Sequence, residues 1–234
     1  MTDSEENKSA PFDYFELAVA ILLGLAAIGA AWSSYQSSMW GGKSVEAYGE
    51  AATMSSRASS EHDRAEMDIA HDFECDLKAK ERILKALESS NETDRARLLH
   101  VASYLYAVEM SQIGYLQMKL PPDYHTAGDV KKHEGIPLEV LKSALDRKLG
   151  PEYEAAMLAK GQSDYAAADK RFDEGRGDGS IGDRFDLYTV IFTVSLFFAG
   201  LGLVFKTRTR WYFLFSGLLV FLYGGFYIIR TPWA

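Results

Sequence analysis

The sequence predicts an all-α integral membrane protein: three transmembrane helices, with a helical-bundle domain inserted between the first and the second. Three observations predict it. Long uncharged apolar runs stand near both ends, the middle of the chain is polar and acidic, and no stretch alternates apolar and polar residues as a half-buried strand does. Whole-chain averages conceal this division: 47% hydrophobic and 25% charged residues, at a mean hydropathy of −0.14, look like an ordinary soluble chain. Position separates the populations. Residues 1–16 carry one Lys and five acids, residues 33–184 carry 20 Lys or Arg and 27 acids, and residues 185–234 carry four basic residues, one acid and 15 of the 30 aromatics.

Residues 1–13 form an acidic N-terminal tail. The first transmembrane helix is placed at 14–36, where Leu17–Trp32 is unbroken apolar sequence and no charge occurs from Leu17 to Gly42. About 20 residues at ~1.5 Å rise cross a ~30 Å hydrocarbon core. Phe12, Tyr14 and Phe15 on one side, and Trp32, Tyr35 and Trp40 on the other, suit the two interfaces. A secretory signal peptide is the competing reading, but its n-region is basic, whereas this one holds Asp3, Glu5, Glu6, Asp13 and Glu16.

A soluble helical domain is expected over 37–174. Gly41-Gly42 reads as a break or hinge, since glycine costs ~1 kcal/mol in a helix interior. A long helical pattern follows from Ser44 to about Ser89. Its first part is a seam of small residues, Ala47, Ala51, Met54 and Ala58, open to packing within one subunit or between subunits. Its second part carries an apolar stripe, Ile69, Phe73, Leu77, Leu84 and Leu87. Asn91 caps a second helix predicted from Glu92 to Met118, with Leu98, Ala102, Leu105, Ile113 and Leu116 as its buried face. A loop over 119–136 leads to a short helix entered at Pro137 and stopped by Gly150. Another helix is expected over 152–173. The glycine-rich segment 175–184 reads as a flexible linker.

The transmembrane hairpin occupies 185–234, with spans at 187–205 and 211–229 that each run 19 residues without a charge. The turn between them, Lys206-Thr-Arg208-Thr-Arg210, is too short for anything but antiparallel neighbours. Under the positive-inside rule, Lys206, Arg208 and Arg210 hold this turn in the cytoplasm and put the helical domain outside. Lys170, Arg171, Arg176 and Arg184 pull the other way, although long translocated domains tolerate such charge.

An acidic balance without a basic stripe excludes nucleic acid as a partner. A single cysteine, Cys75, excludes a disulfide framework. The densest polar cluster runs from Glu61 to Asp76, where His62 and Glu66, and His71 and Cys75, are spaced four apart and so share helix faces. These four are the weak metal-ligand candidates. Asp68-x-x-His71 resembles one element of di-metal bundles, which draw carboxylates from several helices, and only Glu109 is available for that. A solvated acidic face is the plainer reading, and no cofactor is expected. Gly177–Gly182 matches G-x-G-x-x-G without the strand that dinucleotide binding requires. The same segment lacks the twelfth-position Glu of a calcium loop, since Phe185 stands there. Glu16 and Asp186 lie at span ends, within reach of the interface.

The run Ala30-Ala-Trp-Ser-Ser-Tyr-Gln-Ser-Ser-Met-Trp-Gly-Gly42 after a Leu/Ala-rich span resembles a group of uncharacterised bacterial membrane proteins. They share an Ala-x-Trp-Ser-x-Tyr-Gln run, a helical middle and a hydrophobic pair near the C-terminus. The resemblance implies a bacterial inner membrane. It brings no activity, cofactor or catalytic residue.

Packing signals outnumber chemical ones. Gly24 with Ala20, Ala27 and Ala31 in the first span, Ser195 and Ala199 in the second, and Gly217 and Gly224 in the third are small residues of the kind that let membrane helices approach closely. The expected function is a non-enzymatic, oligomeric membrane scaffold or accessory subunit. Its expected partners are the lipid bilayer and either copies of itself or other membrane-protein subunits. The alternative is an oligomeric ion channel or pore lined by the first span and Ser33, Ser34, Ser37 and Ser38. A membrane metalloenzyme is a distant third.

Overall fold

A computed structural model describes residues 13–205 and 207–234. Every regular element among them is helical: α1 (Tyr14–Glu88), α2 (Glu92–Tyr104), a π-helical turn (Leu105–Glu109), α3 (Gln112–Gln117), a 3-10 turn (Pro122–Tyr124), α4 (Ala127–Lys132), α5 (Leu138–Leu145), α6 (Pro151–Val204) and α7 (Thr209–Arg230). Three of these, α1, α6 and α7, are long and apolar enough to cross a membrane, and the shorter helices lie between the first and second of them in sequence. The acidic tail up to residue 12, and Lys206 of the basic turn, lie outside the described residues. The chain divides into two compact units, one formed by residues up to Glu50 with Arg171–Ala234, the other by Ala51–Lys170.

In the first unit, Phe15, Val19 and Leu22 of α1 are buried with Ala199 of α6 and Leu214 of α7. Phe185, Tyr188 and Phe192 of α6 are buried with Ile228 of α7. Two expectations for this region are corrected. Gly41-Gly42 does not break α1, which runs through it. Segment 175–184 is not a flexible linker but part of α6. The physical reason is the glycine spacing. Gly175, Gly179 and Gly182 follow at four and three residues, so they fall on one helix face, and that face lies against α1. A Cβ on Gly175 would meet Ala47 Cβ at 3.1 Å and the Ser44 carbonyl oxygen at 3.2 Å, and one on Gly182 would meet the Ser37 carbonyl oxygen at 3.4 Å. Close packing against α1 offsets the helix-propensity cost of these glycines. Ser44 Oγ donates to the Gly175 carbonyl at 2.7 Å across the same contact.

In the second unit, Asn91 caps α2 as its sequence predicts, accepting from the Thr93 and Asp94 amides. The single helix expected over 92–118 is, however, interrupted. The π-helical turn ends at Glu109, and Met110 and Ser111 are extended, with ψ of 145° and 156°. Ser111 then caps α3, its Oγ accepting from the Gly114 amide at 3.0 Å. The interruption resets the helical register. Tyr106, Ala107, Met110, Tyr115 and Met118 form the core with Cys75, Ala79 and Ile83 of α1, while Ile113 and Leu116, expected inside, are 42% and 57% exposed. The apolar stripe of α1 is displaced in the same sense. Leu77 is 71% and Leu84 51% exposed, and Asp72 and Asp76 turn inward instead.

Candidate functional site

Asp72 of α1 is 1% exposed and is the best-connected polar group of the second unit. Its Oδ1 accepts from the Ser111 amide at 2.7 Å. Its Oδ2 accepts from the Ser111 hydroxyl and from Tyr153 Oη, the latter at 2.6 Å. One carboxylate thus ties α1, the start of α3 and the start of α6 together. Burying a carboxylate is costly unless hydrogen bonds replace its water, and three donors do so here. Gly114 leaves the room: a Cβ there would overlap Asp72 Oδ2 and reach Met110 Cγ at 3.0 Å.

One turn along, Asp76 accepts from Tyr106 Oη at 2.9 Å and from Lys80 Nζ at 2.7 Å. Lys80 also donates to the Arg147 carbonyl at 2.5 Å, and Arg147 in turn donates to the Met118 and Lys119 carbonyls. Burial beside these carboxylates pushes the phenols of Tyr106 and Tyr153 well above the usual tyrosine range. Burial, reinforced by the Asp123 and Asp129 charges, raises the pKa of Tyr115 to about 12; its hydroxyl donates to the Pro121 carbonyl at 2.5 Å. These tyrosines are therefore neutral donors throughout the physiological range.

The four residues singled out as metal candidates form two separate pairs. His62 Nε2 lies 3.3 Å from Glu66. His71 Nε2 lies 3.5 Å from Cys75 Sγ and 3.1 Å from the Glu109 carbonyl. Among the described residues no three such side chains converge. Most of the acidic run is exposed, including Asp63, Glu66, Asp68 and Glu74. The inward turn of Asp72 and Asp76 is what sequence reasoning missed.

Cys75 is 3% exposed, and burial, reinforced by the Asp72 and Glu109 charges, pushes its thiol pKa up from the ordinary 9.0 to about 11. The thiolate is the reactive form, so at pH 8 Cys75 is expected to alkylate at least roughly a hundredfold more slowly in the folded protein than after denaturation. Equal rates of iodoacetamide labelling in the two states would contradict this placement. Because ionisation is disfavoured in the fold, the thiol's contribution to stability is present below pH 9 and lost as pH rises through about 11.

The packing candidates divide. Ala47, Ala51 and Ala58 are fully buried within one chain, whereas Met54 is 42% exposed. Gly217 and Gly224 are buried against α6: a Cβ on Gly217 would meet the Ser195 carbonyl oxygen at 3.2 Å, and one on Gly224 would meet Ile191 Cγ2 at 3.0 Å. Gly24 is exposed, with nothing within 4 Å of its Cβ position. Of the basic turn, Arg210 pairs with Asp13 at 3.2 Å and lies 4.3 Å over the Phe15 ring, and Arg208 is exposed.

Two open grooves mark the surface of the second unit, one of about 370 Å³ beside Arg57, Glu61 and Lys160 and one of about 500 Å³ beside Arg82, Asp94 and Arg97. Neither is lined by the buried carboxylates. Compared with known protein families, known proteins and solved structures, the chain matches none of them. The arrangement around Asp72 and Asp76 clamps helices: every carboxylate oxygen is engaged, and Asp72 is closed to solvent.

Proposed function

We propose that the protein is a non-enzymatic scaffold or accessory subunit of a bacterial inner-membrane complex, spanning the bilayer three times and acting as an oligomer or hetero-complex through its helical domain. The observation that carries this reading is the apolar stripe of α1 in the second unit. Phe73, Leu77, Leu84 and Leu87 recur at helical spacing yet are 38%, 71%, 51% and 40% exposed. A run of large apolar side chains left uncovered outside the lipid favours a protein partner. The buried alanines serve contacts within the chain, so the stripe is the better partner surface. The Ala30–Gly42 run supports the bacterial assignment. In detergent, size and co-purification measurements are expected to give a homo-oligomer or a stable hetero-complex. A monodisperse monomer that retains no other protein would overturn the proposal.

The pore reading has less support. Ser33 is fully buried within the chain, its Oγ donating to the Gly29 carbonyl at 2.8 Å, and the Ser37 carbonyl lies against Gly182. These two groups are engaged within the chain, whereas Ser34 and Ser38 are exposed.

The basic turn supports a helical domain outside the cytoplasm. Reporter fusions at the C-terminus and after Gly175 are expected to read as external, and cytoplasmic signals at both would invert the topology.

A further inference from the structure

Between α1 and α7 in the first unit lies a groove of about 280 Å³, lined by Ala18, Ile21, Leu25, Phe215, Leu218 and Phe221. Its walls are hydrocarbon. Ala18 to Leu25 covers about 10 Å of helix at ~1.5 Å per residue. Close helix approach calls for small residues on both walls, and Ala18 is the one small side chain among those named. The space suits a single narrow chain.

One cation, Arg208, stands on the α7 face that walls the groove. Arg208, Trp211, Phe215 and Leu218 follow at three, four and three residues and so share one face of α7, whose N-cap is Arg208 with helical backbone angles. Arg208 therefore stands above Phe215 and Leu218 on the same face. Arg210 is committed to Asp13 at 3.2 Å and to the Phe15 ring. Arg208 is exposed and forms no ion pair among the described residues. A guanidinium presents paired N–H donors that match two phosphate oxygens, and its charge favours a headgroup of net negative charge over a zwitterionic one, whose ammonium it repels. Trp211, 44% exposed and set edge-on to Phe15 at 5.1 Å, marks the interfacial level where an aromatic ring with a polar edge resides.

We infer that this groove binds one anionic phospholipid, its acyl chain between α1 and α7 and its phosphate on Arg208. The inference rests on the membrane-spanning reading of α1 and α7. Two measurements separate the failure of one from the failure of the other.

Carbonate-washed membranes test insertion: recovery of the protein in the aqueous fraction would sink the membrane reading and the lipid site with it. For protein that stays in the membrane fraction, native mass spectrometry of the detergent-solubilised full chain is then run with added phosphatidylglycerol or phosphatidylcholine of matched acyl chains. Phosphatidylglycerol is expected to be retained at least tenfold better. Arg208→Gln should bring its retention down to the phosphatidylcholine level, and Leu218→Trp, which fills the groove, should lower retention of both lipids. Equal retention of the two lipids, or a preference unchanged in Arg208→Gln, would overturn the site and leave only non-specific annular lipid. Arg208 is exposed, so that variant is expected to fold, and an unchanged circular dichroism melt confirms it.

Discussion

Asp72→Ala is expected to lower the melting temperature of the detergent-solubilised protein by roughly 10 °C, taking ~2–4 °C per kcal/mol for a chain of this size and a loss of about 4 kcal/mol. The magnitude follows from what the substitution leaves behind. The Ser111 amide, the Ser111 hydroxyl and Tyr153 Oη all donate to this one carboxylate. Each buried donor left without an acceptor costs ~1–3 kcal/mol. The effect also reaches beyond one contact, because the three donors sit on segments 39 and 81 residues away in the chain. Tyr153→Phe and Ser111→Ala, which each remove donors and leave the carboxylate its others, are expected to cost about 1–2 kcal/mol. Residues in one network couple, so Asp72→Ala combined with Tyr153→Phe should cost less than the two separately. Asp72→Asn keeps one acceptor oxygen and should fall between. Thermal unfolding by circular dichroism decides the matter, and an Asp72→Ala melt within 2 °C of the parent would mean that the carboxylate is not what holds α1, α3 and α6 together.

The same residue shows where sequence reading reaches its limit. The spans are legible because an apolar run is a local property, set by some twenty consecutive residues and the hydrocarbon thickness they match. The Asn91 cap is legible for the same reason, since its acceptor oxygen and the amides it serves lie within three residues. Asp72 is different. Within α1 it is one acid in an acidic run, and nothing within a helical turn distinguishes it from Asp68. Its burial is decided by Ser111 and Tyr153, which periodicity cannot connect to it.

The break at Met110–Ser111 compounds this. Taking 92–118 as one helix carries its phase past the interruption and assigns Ile113 and Leu116 to the core, where Gly114 and Tyr115 belong. A local clue existed, for Ser111 followed three residues later by Gly114 fits an N-cap with a close-packed helix behind it. The 175–184 segment offered a second clue. As composition its glycines suggest flexibility, but Gly175, Gly179 and Gly182, spaced by four and three, describe a helix face.

Gly217→Leu is expected to be the most damaging substitution in the hairpin, because its neighbours are backbone. A Cβ at this position would stand 3.2 Å from the Ser195 carbonyl oxygen and 3.4 Å from the Ala199 amide nitrogen, with Phe198 Cβ at 3.3 Å. A flexible side chain can rotate away from an added methyl; a helix backbone has to translate. Translation would also part Ser195 Oγ from the Gly217 carbonyl, which it now reaches at 2.8 Å from a fully buried position. Lipid tails are as apolar as the helices they surround, so packing and such interhelical hydrogen bonds are what hold membrane helices together. Overpacking costs ~1–3 kcal/mol where side chains can adjust, and the backbone contacts here place Gly217→Leu at ~3 kcal/mol or more. Gly225→Leu is the control. It lies on the same helix, gains the same ~0.8–1 kcal/mol of helix propensity on replacing glycine, and has nothing within 4 Å of its Cβ position. The difference between the two variants therefore isolates the contact between α6 and α7. Unfolding of the purified protein by increasing SDS mole fraction should show Gly225→Leu at or above the parent midpoint and Gly217→Leu clearly below it. Coincident curves for the two variants would mean that α7 does not pack on α6 through Gly217.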